Sequence, residues 1–339
     1  MVGYHLVSAL TRHGWIARLA PPASHVIAGG AGYAVDLFFV LSGYILAETY
    51  GVRADAATFF VHRAARVLPL HWVVLTALVV GVAATEHAGG VTPRPGAFDW
   101  RTLPYQYTLT SVWVRAAPWN VPTWSLNAEL VAYLLFPLLQ QVGRRTPALP
   151  MLVLGLGLVA ADMALIGRVG FRTIGYLAIL RGVLGFAAGF MLRLAIAGRP
   201  IPLWLTNLCV LEVGAAACAG AYRLALIPGA ALIVALGSPA KGFVHRALST
   251  PIPLWLGRIS FSIYLAHYPL LLVFAHLMGR TPLLRASPAM VLASGLLYVA
   301  ATLIVAQGTW RWVEVPARRG LRQWWDGAHQ RALAAPQVR

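Results

Sequence analysis

Charge of either sign is scarce in this chain, and acidic charge most of all. Its 339 residues include ten Asp and Glu against 27 Lys and Arg, so charged side chains make up 11%, under half the ~25% usual in soluble domains. That excludes an ordinary water-soluble globule. Lysine is represented by Lys241 alone, so the basic character belongs to arginine. The cysteines, Cys209 and Cys218, are nine residues apart in one apolar stretch. On a helix they stand ~13 Å apart, too far to form a disulfide. With no thiol or imidazole near them at metal-ligand spacing, they read as packing residues. The sequence has no glycine-rich phosphate loop, metal-ligand constellation, internal repeat or low-complexity tract.

What is abundant is apolar. Hydrophobic residues make up 59% and the mean hydropathy is +0.70, which reads as one integral membrane domain over residues 1–339. The formal net charge of +17 would suggest nucleic acid in a soluble protein. Here the arginines fall mostly between apolar stretches, where they anchor loops and meet anionic lipid, so the bilayer and not nucleic acid is the expected partner.

Runs of spanning length predict helices over Tyr33–Thr49, Val67–Ala84, Trp124–Gln140, Ala148–Ile166, Thr173–Ile196, Pro202–Ala219, Ala221–Gly237, Pro253–Leu277 and Pro288–Trp310. Met1–Thr11 would be a tenth, but it rises only ~16 Å through a ~30 Å hydrocarbon core. It reads as a truncated first helix, with a start codon placed late, rather than as a signal peptide. Arginine and lysine counts in alternate loops, 16 with the tail against 10, place both termini in the cytoplasm. The long segment His87–Asn120 then lies outside. Its aromatics, Trp100, Tyr105, Tyr107, Trp113 and Trp119, suit an interfacial belt or stacking on sugar rings. Residues 313–339 form a short basic cytoplasmic tail, expected to be an amphipathic surface segment.

Ionisable groups within apolar runs carry the functional signal, because such groups in lipid are costly and usually face a protein interior or a wet cavity. His5 is either a hydrogen-bonded core residue or a base for a hydroxyl proton. Asp36 and Glu129 either orient a histidine or pair structurally with an arginine or a helix end. Arg63 and Arg66, at i and i+3 on a short helix expected to lie on the membrane before Val67, form a phosphate clamp or a lipid-headgroup anchor. Ser260, Tyr264 and His267 make a polar stripe that lines a cavity or bonds a neighbouring helix, and Pro269 frees carbonyls there. Asp162 and Glu212 read as structural polar residues.

Taken in order, Ala34-Val-Asp-Leu-Phe-Phe-Val-Leu-Ser-Gly43, Arg63-x-x-Arg66 with Pro69, Trp124-Ser-Leu followed by Glu129, Ser260 to Pro269, and Glu314-Val-Pro316 resemble the acyltransferase family 3 membrane proteins, the O-antigen acetylase type. The resemblance spans essentially the whole chain. It implies an all-α polytopic bundle of about ten helices in the bacterial cytoplasmic membrane. It also implies transfer of an acyl group, usually acetyl from acetyl-CoA, to a hydroxyl of a carbohydrate or related acceptor.

Tyr4-His5 fits the family's catalytic histidine. The arginine that the family carries about ten residues earlier falls upstream of Met1. The tryptophan motif is one residue longer here, with Asn127 and Ala128 before Glu129. On this reading His5, Glu129 and Asp36 are catalytic, and Arg63, Arg66 and Glu314 bind acyl-CoA as donor substrate. Ser42, Trp124, Ser260, Tyr264 and His267 line the substrate cavity. No metal and no permanently bound cofactor are expected. The rival reading is a secondary transporter with buried ionisable groups, against which stand the missing inverted repeat and a paired arginine with no use in transport.

Overall fold

The computed structural model describes residues 2–12, 21–90, 92, 96–170, 174–196, 198–285 and 287–334. Met1 and the loop cations Arg18, Arg94, Arg172 and Arg339 lie outside the described residues. Among the described residues every regular element is helical: α1 (Val2–Arg12), α2 (Pro21–Tyr50), α3 (Ala56–His87), α4 (Leu103–Tyr107), α5 (Trp124–Leu134), α6 (Phe136–Arg145), α7 (Ala148–Val169), α8 (Tyr176–Ile196), α9 (Leu203–Cys218), α10 (Leu226–Leu236), α11 (Phe243–Leu248), α12 (Pro251–Arg280), α13 (Pro288–Thr309) and α14 (Val315–Ala334). The class is all-α, as the apolar runs and the family resemblance predict.

Among the described residues six stretches are long and apolar enough to cross a membrane: Gly32–Tyr50, α3, Ala148–Arg168, α8, α12 and the continuous run Pro288–His329. The sequence reading expects about ten. The difference lies in short elements. α1 has 11 residues, α9 has 16, and α10 is preceded by a separate 3-10 turn at Tyr222–Ala225. The expected Trp124–Gln140 helix is two, α5 and α6, parted at Leu135. Pro137 has no N–H to give the preceding turn, which explains the break.

α8 is the most buried of the six long apolar segments, and α2, α5 and α7 pack around it. The contact between α2 and α8 is made through backbone. A Cβ added at Gly189 would lie 1.8 Å from the Val40 carbonyl oxygen, and one at Gly43 would lie 1.9 Å from that of Phe186. Small residues that let backbones touch are what holds helices together in lipid, where apolar burial gives no driving force between spans.

Two expectations are corrected here. Arg63 and Arg66 do not ride a separate surface helix, because α3 runs unbroken for 32 residues from its Asp55 cap through Pro69. Its buried face continues through Phe59, Ala65, Val67, Leu70 and Val74, so tertiary packing carries the helix past the one N–H that proline lacks. The basic tail is not a detached surface segment either. A π-helical turn at Trp310–Glu314 leads α13 directly into α14. α13 packs on α12, whereas α14 folds against α3. There Trp325 Nε1 donates to Thr58 Oγ1 (3.1 Å) and His62 Nε2 lies 3.1 Å from Asp326.

Residues 96–123 fold as a small knot. Trp119 is fully buried and meets Phe98 and Trp100 edge-on, so it belongs to neither a belt nor a sugar platform. Asn127 on α5 ties the knot down, accepting from Val112 N at 3.0 Å.

Candidate active site

Named polar side chains run along the interior of the bundle from α1 to α14. At one end α1 packs against α12 and α13 through Val2, Leu6 and Ala9 on Tyr268, Leu271 and Tyr298. This holds His5 in a buried position, 8% exposed. Its ring centroid lies 5.3 Å from that of His267 and 5.3 Å from that of Tyr268. His267 is completely buried. Its Nδ1 is 3.1 Å from the Ile263 carbonyl, and a carbonyl only accepts, so Nδ1 carries the proton. Nε2 has no hydrogen-bond partner among the described residues, and in the neutral ring it presents a lone pair.

Proline chemistry shapes this part of α12. Pro269 lacks the N–H that would reach back to Leu265, and the freed Leu265 carbonyl accepts from Asn120 Nδ2 at 2.9 Å. One turn earlier, Tyr264 donates to the Pro122 carbonyl (2.8 Å) and lies 2.7 Å from Ser125 Oγ. The helix carrying the histidine is thereby pinned to the start of α5.

Further along the interior, Ser42 of α2 donates to Glu129 of α5 at 2.5 Å. Tyr133, one turn on from Glu129, hydrogen-bonds to both Glu129 and Arg63. A guanidinium only donates, so the hydroxyl accepts from Arg63 and donates to the carboxylate. The Arg63 guanidinium also lies 5.8 Å from the Tyr50 ring centroid and 5.9 Å from that of Tyr133. At the far end Arg66 pairs with Glu314, whose second oxygen accepts from Ser262 Oγ at 2.8 Å. Arg318 is 3.8 Å from the same carboxylate.

The structure thus brings together His5 with His267, Tyr264 with Ser125, Ser42 with Glu129, and Arg66 with Glu314. It does not bring Asp36 or Ser260 into this series. Asp36 is wholly buried and held by two hydrogen bonds from Arg181 Nη2, at 2.7 and 2.9 Å. Of its two possible roles, pairing with an arginine is the one seen, because a carboxylate in an apolar interior is kept charged only by a close, well-bonded cation. Glu129 likewise takes hydroxyls, not a histidine, as its partners. Ser260 is exposed near the start of α12, where its hydroxyl donates to Gly257 of its own helix. Trp124 lies under the Arg181 guanidinium, 5.3 Å from Cζ to ring centroid, and supports the ion pair more than a cavity.

Sequence reasoning missed Tyr133, Ser262, Arg181 and Asn120. Arg181 had a signal: it stands eight residues inside the predicted apolar run Thr173–Ile196. Tyr133 is one helical turn from Glu129, a spacing that places the two on one face.

The acyltransferase family 3 model, described as an acyltransferase domain, matches residues 1–311. Acyltransferase MdmB of Streptomyces mycarofaciens is 28% identical over 283 residues, which is 73% of this chain and 70% of that protein. Exopolysaccharide production protein ExoZ of Rhizobium meliloti (strain 1021) is 31% identical over 264 residues, 72% of this chain and 77% of that protein. Nodulation protein 10 of Rhizobium leguminosarum bv. viciae is 25% identical over 274 residues, 69% of this chain and 70% of that protein. No solved structure matches. These relationships decide between enzyme and transporter: the chain belongs to acyltransferase family 3, and it is an acyltransferase that moves groups other than aminoacyl groups.

Proposed function

We propose that the chain is an O-acyltransferase of the bacterial cytoplasmic membrane. On this reading it moves an acyl group, acetyl in the simplest case, from acyl-CoA to a hydroxyl of an exported carbohydrate. The observation that carries this reading is the buried run of polar side chains joining a histidine pair at one end of an apolar bundle to paired arginines at the other. A histidine deprotonates a hydroxyl near neutral pH, and arginines grip phosphate in a planar, multi-donor way that lysine cannot copy. The name of ExoZ supports an exopolysaccharide hydroxyl as acceptor. The excess of cations in one set of loops supports cytoplasmic termini.

In this mechanism Arg63 and Arg66 hold the donor's phosphates, with Glu314 fixing the Arg66 fork. The thioester extends toward the histidines. His5 takes the proton of the acceptor hydroxyl while its oxygen attacks the thioester carbonyl carbon. The tetrahedral intermediate collapses with cleavage of the C–S bond, and the proton held by His5 passes to the departing thiolate, giving free CoA and the acyl ester. His267, neutral and adjacent, keeps an acceptor nitrogen facing the reacting groups. Glu129 and Tyr133 orient Arg63 through hydroxyl hydrogen bonds, a positioning role.

The test uses detergent-purified full chain, acetyl-CoA and a soluble oligosaccharide, with release of free thiol and acetylation of the sugar as readouts. His5→Ala should lose at least about 100-fold in transfer, as expected for removal of a general base, with an unchanged elution profile. Wild-type turnover by that variant would return His5 to a packing role, and no thiol release by the wild type would reject the acyl-CoA donor.

A further inference from the structure

The helix beyond the family match lies against the arginine pair in a regular antiparallel ladder. Arg66 of α3 faces Glu314 and Arg318. His62 faces Asp326, and Thr58 faces Trp325. Between these rungs Arg322 stands opposite Arg63 and Tyr50, within electrostatic reach of both and of Arg318. Arg318 and Arg322 are one helical turn apart, so both project from the face of α14 that covers α3.

Four guanidiniums therefore gather where α14 packs on α3, each within electrostatic reach of at least one other. The carboxylates within their reach are Glu314, Glu129 behind Tyr133, and Asp326, itself engaged by His62. Two of the guanidiniums have donor capacity turned inward and unused: Arg63 Nε and Arg322 Nε are buried, with no hydrogen-bond partner among the described residues. Like charges held close and half-buried repel, and they are stable there only with anions to accept their hydrogen bonds.

We infer that α14 completes a binding site for a polyphosphate ligand, with Arg318 and Arg322 as its third and fourth cationic donors. The inference rests on the acyl-CoA reading for its choice of ligand. The phosphorylated nucleotide end of such a donor carries a pyrophosphate and a separate monophosphate, which matches two pairs of arginines better than one pair. Because Arg318 and Arg322 lie outside residues 1–311, the family match alone assigns them nothing.

The probe is thermal unfolding of detergent-purified full chain, followed by tryptophan fluorescence, with CoA, dephospho-CoA, inorganic pyrophosphate and phosphatidylglycerol added separately. CoA and pyrophosphate should stabilise the wild type, CoA at lower concentration than dephospho-CoA. In the double variant Arg318→Gln/Arg322→Gln the concentration needed should rise by about tenfold or more, the usual scale for lost charge-assisted hydrogen bonds. Its preference for CoA over dephospho-CoA should also disappear. If the double variant does not fold, Arg318→Lys/Arg322→Lys keeps the charge and should still weaken CoA binding.

Unchanged binding of CoA and pyrophosphate by the variants overturns the proposal. So does stabilisation by phosphatidylglycerol alone, which would make the arginine cluster a lipid-headgroup site. Arginine-dependent pyrophosphate binding without any acetyl transfer would support the site while rejecting the donor.

Discussion

Replacing Gly189 by alanine tests the central packing claim without reference to chemistry. The new Cβ would be 1.8 Å from the Val40 carbonyl oxygen, 2.7 Å from its carbon and 2.9 Å from Tyr44 N. All three are backbone atoms of α2, so no side chain can rotate away. Restoring ordinary contact requires the two helices to part by about 1.5 Å. Overpacking of one methyl group costs about 1–3 kcal/mol, and a collision with rigid backbone belongs at the upper end. An unfolding entropy of about 2.1 cal/mol/K per residue over 339 residues gives roughly 1.4 °C per kcal/mol, so at about 3 kcal/mol Tm should fall by roughly 4 °C.

α2 also carries Ser42 and Asp36, so the displacement should break the hydrogen bond to Glu129 and loosen the ion pair to Arg181. The assay is tryptophan fluorescence on heating in detergent, with Gly157→Ala as control. A Cβ at Gly157 meets nothing within 4 Å, so that variant should match or slightly exceed the wild type. A Gly189→Ala protein with wild-type Tm would refute direct backbone contact between α2 and α8.

Asp36→Asn should destabilise by about 3–5 kcal/mol by leaving the Arg181 guanidinium buried without its counter-charge. The pair Asp36→Asn/Arg181→Met should cost less than Asp36→Asn alone, and a larger loss in the double variant on thermal melting would contradict the pairing. Asn120→Ala should cost about 1–2 kcal/mol by orphaning the Leu265 carbonyl. In a Pro269→Ala background, where a helical N–H can serve that carbonyl, the cost should shrink, and an equal cost in both backgrounds would show that Asn120 acts elsewhere.

Asp55 caps α3 through a 2.8 Å bond from Thr58 N, which holds its carboxyl below the usual range. The folded-state value is thus the lower one, so the stabilisation is complete at neutral pH and lost as pH falls through that value. Asp55→Ala should cost about 1 kcal/mol at pH 7 and differ little from wild type near pH 2. A constant gap across that range in pH-dependent melting would refute the cap.

Much of the fold and part of the site could be read from the sequence, for physical reasons that particular residues illustrate. Long apolar runs must become helices in lipid because every backbone group needs an internal partner. The outlines of α7, α8, α12 and α13 follow from that rule alone. Pro269 announces a free carbonyl by its chemistry, and Leu265 supplies it. Glu314 was legible as the arginines' companion only through resemblance, since 248 residues separate it from Arg66.

What stayed hidden depends on neighbours distant in the chain. Nothing local says that Asp36 will meet Arg181 across 145 residues and not a histidine. Arg63 and Arg66 looked detached because the apolar run begins only at Val67, yet buried contacts on both sides of that point carry α3 straight through.

The π-helical turn at Trp310–Glu314 acts as a phase shifter. Widening one turn admits an extra residue, and each residue advances an α-helix by about 100°. Upstream of it the helix shows its inner face to α12; downstream the same continuous rod shows its inner face to α3. Deleting a single residue within 310–314 would leave the rod intact and its length almost unchanged. It would nevertheless roll α14 by roughly a quarter turn, carrying Arg318 and Arg322 off the α3 contact and swinging the exposed Trp324 toward it. The spacing between Thr309 and Arg318 therefore behaves as a rotary index, in which residue count sets direction more than distance.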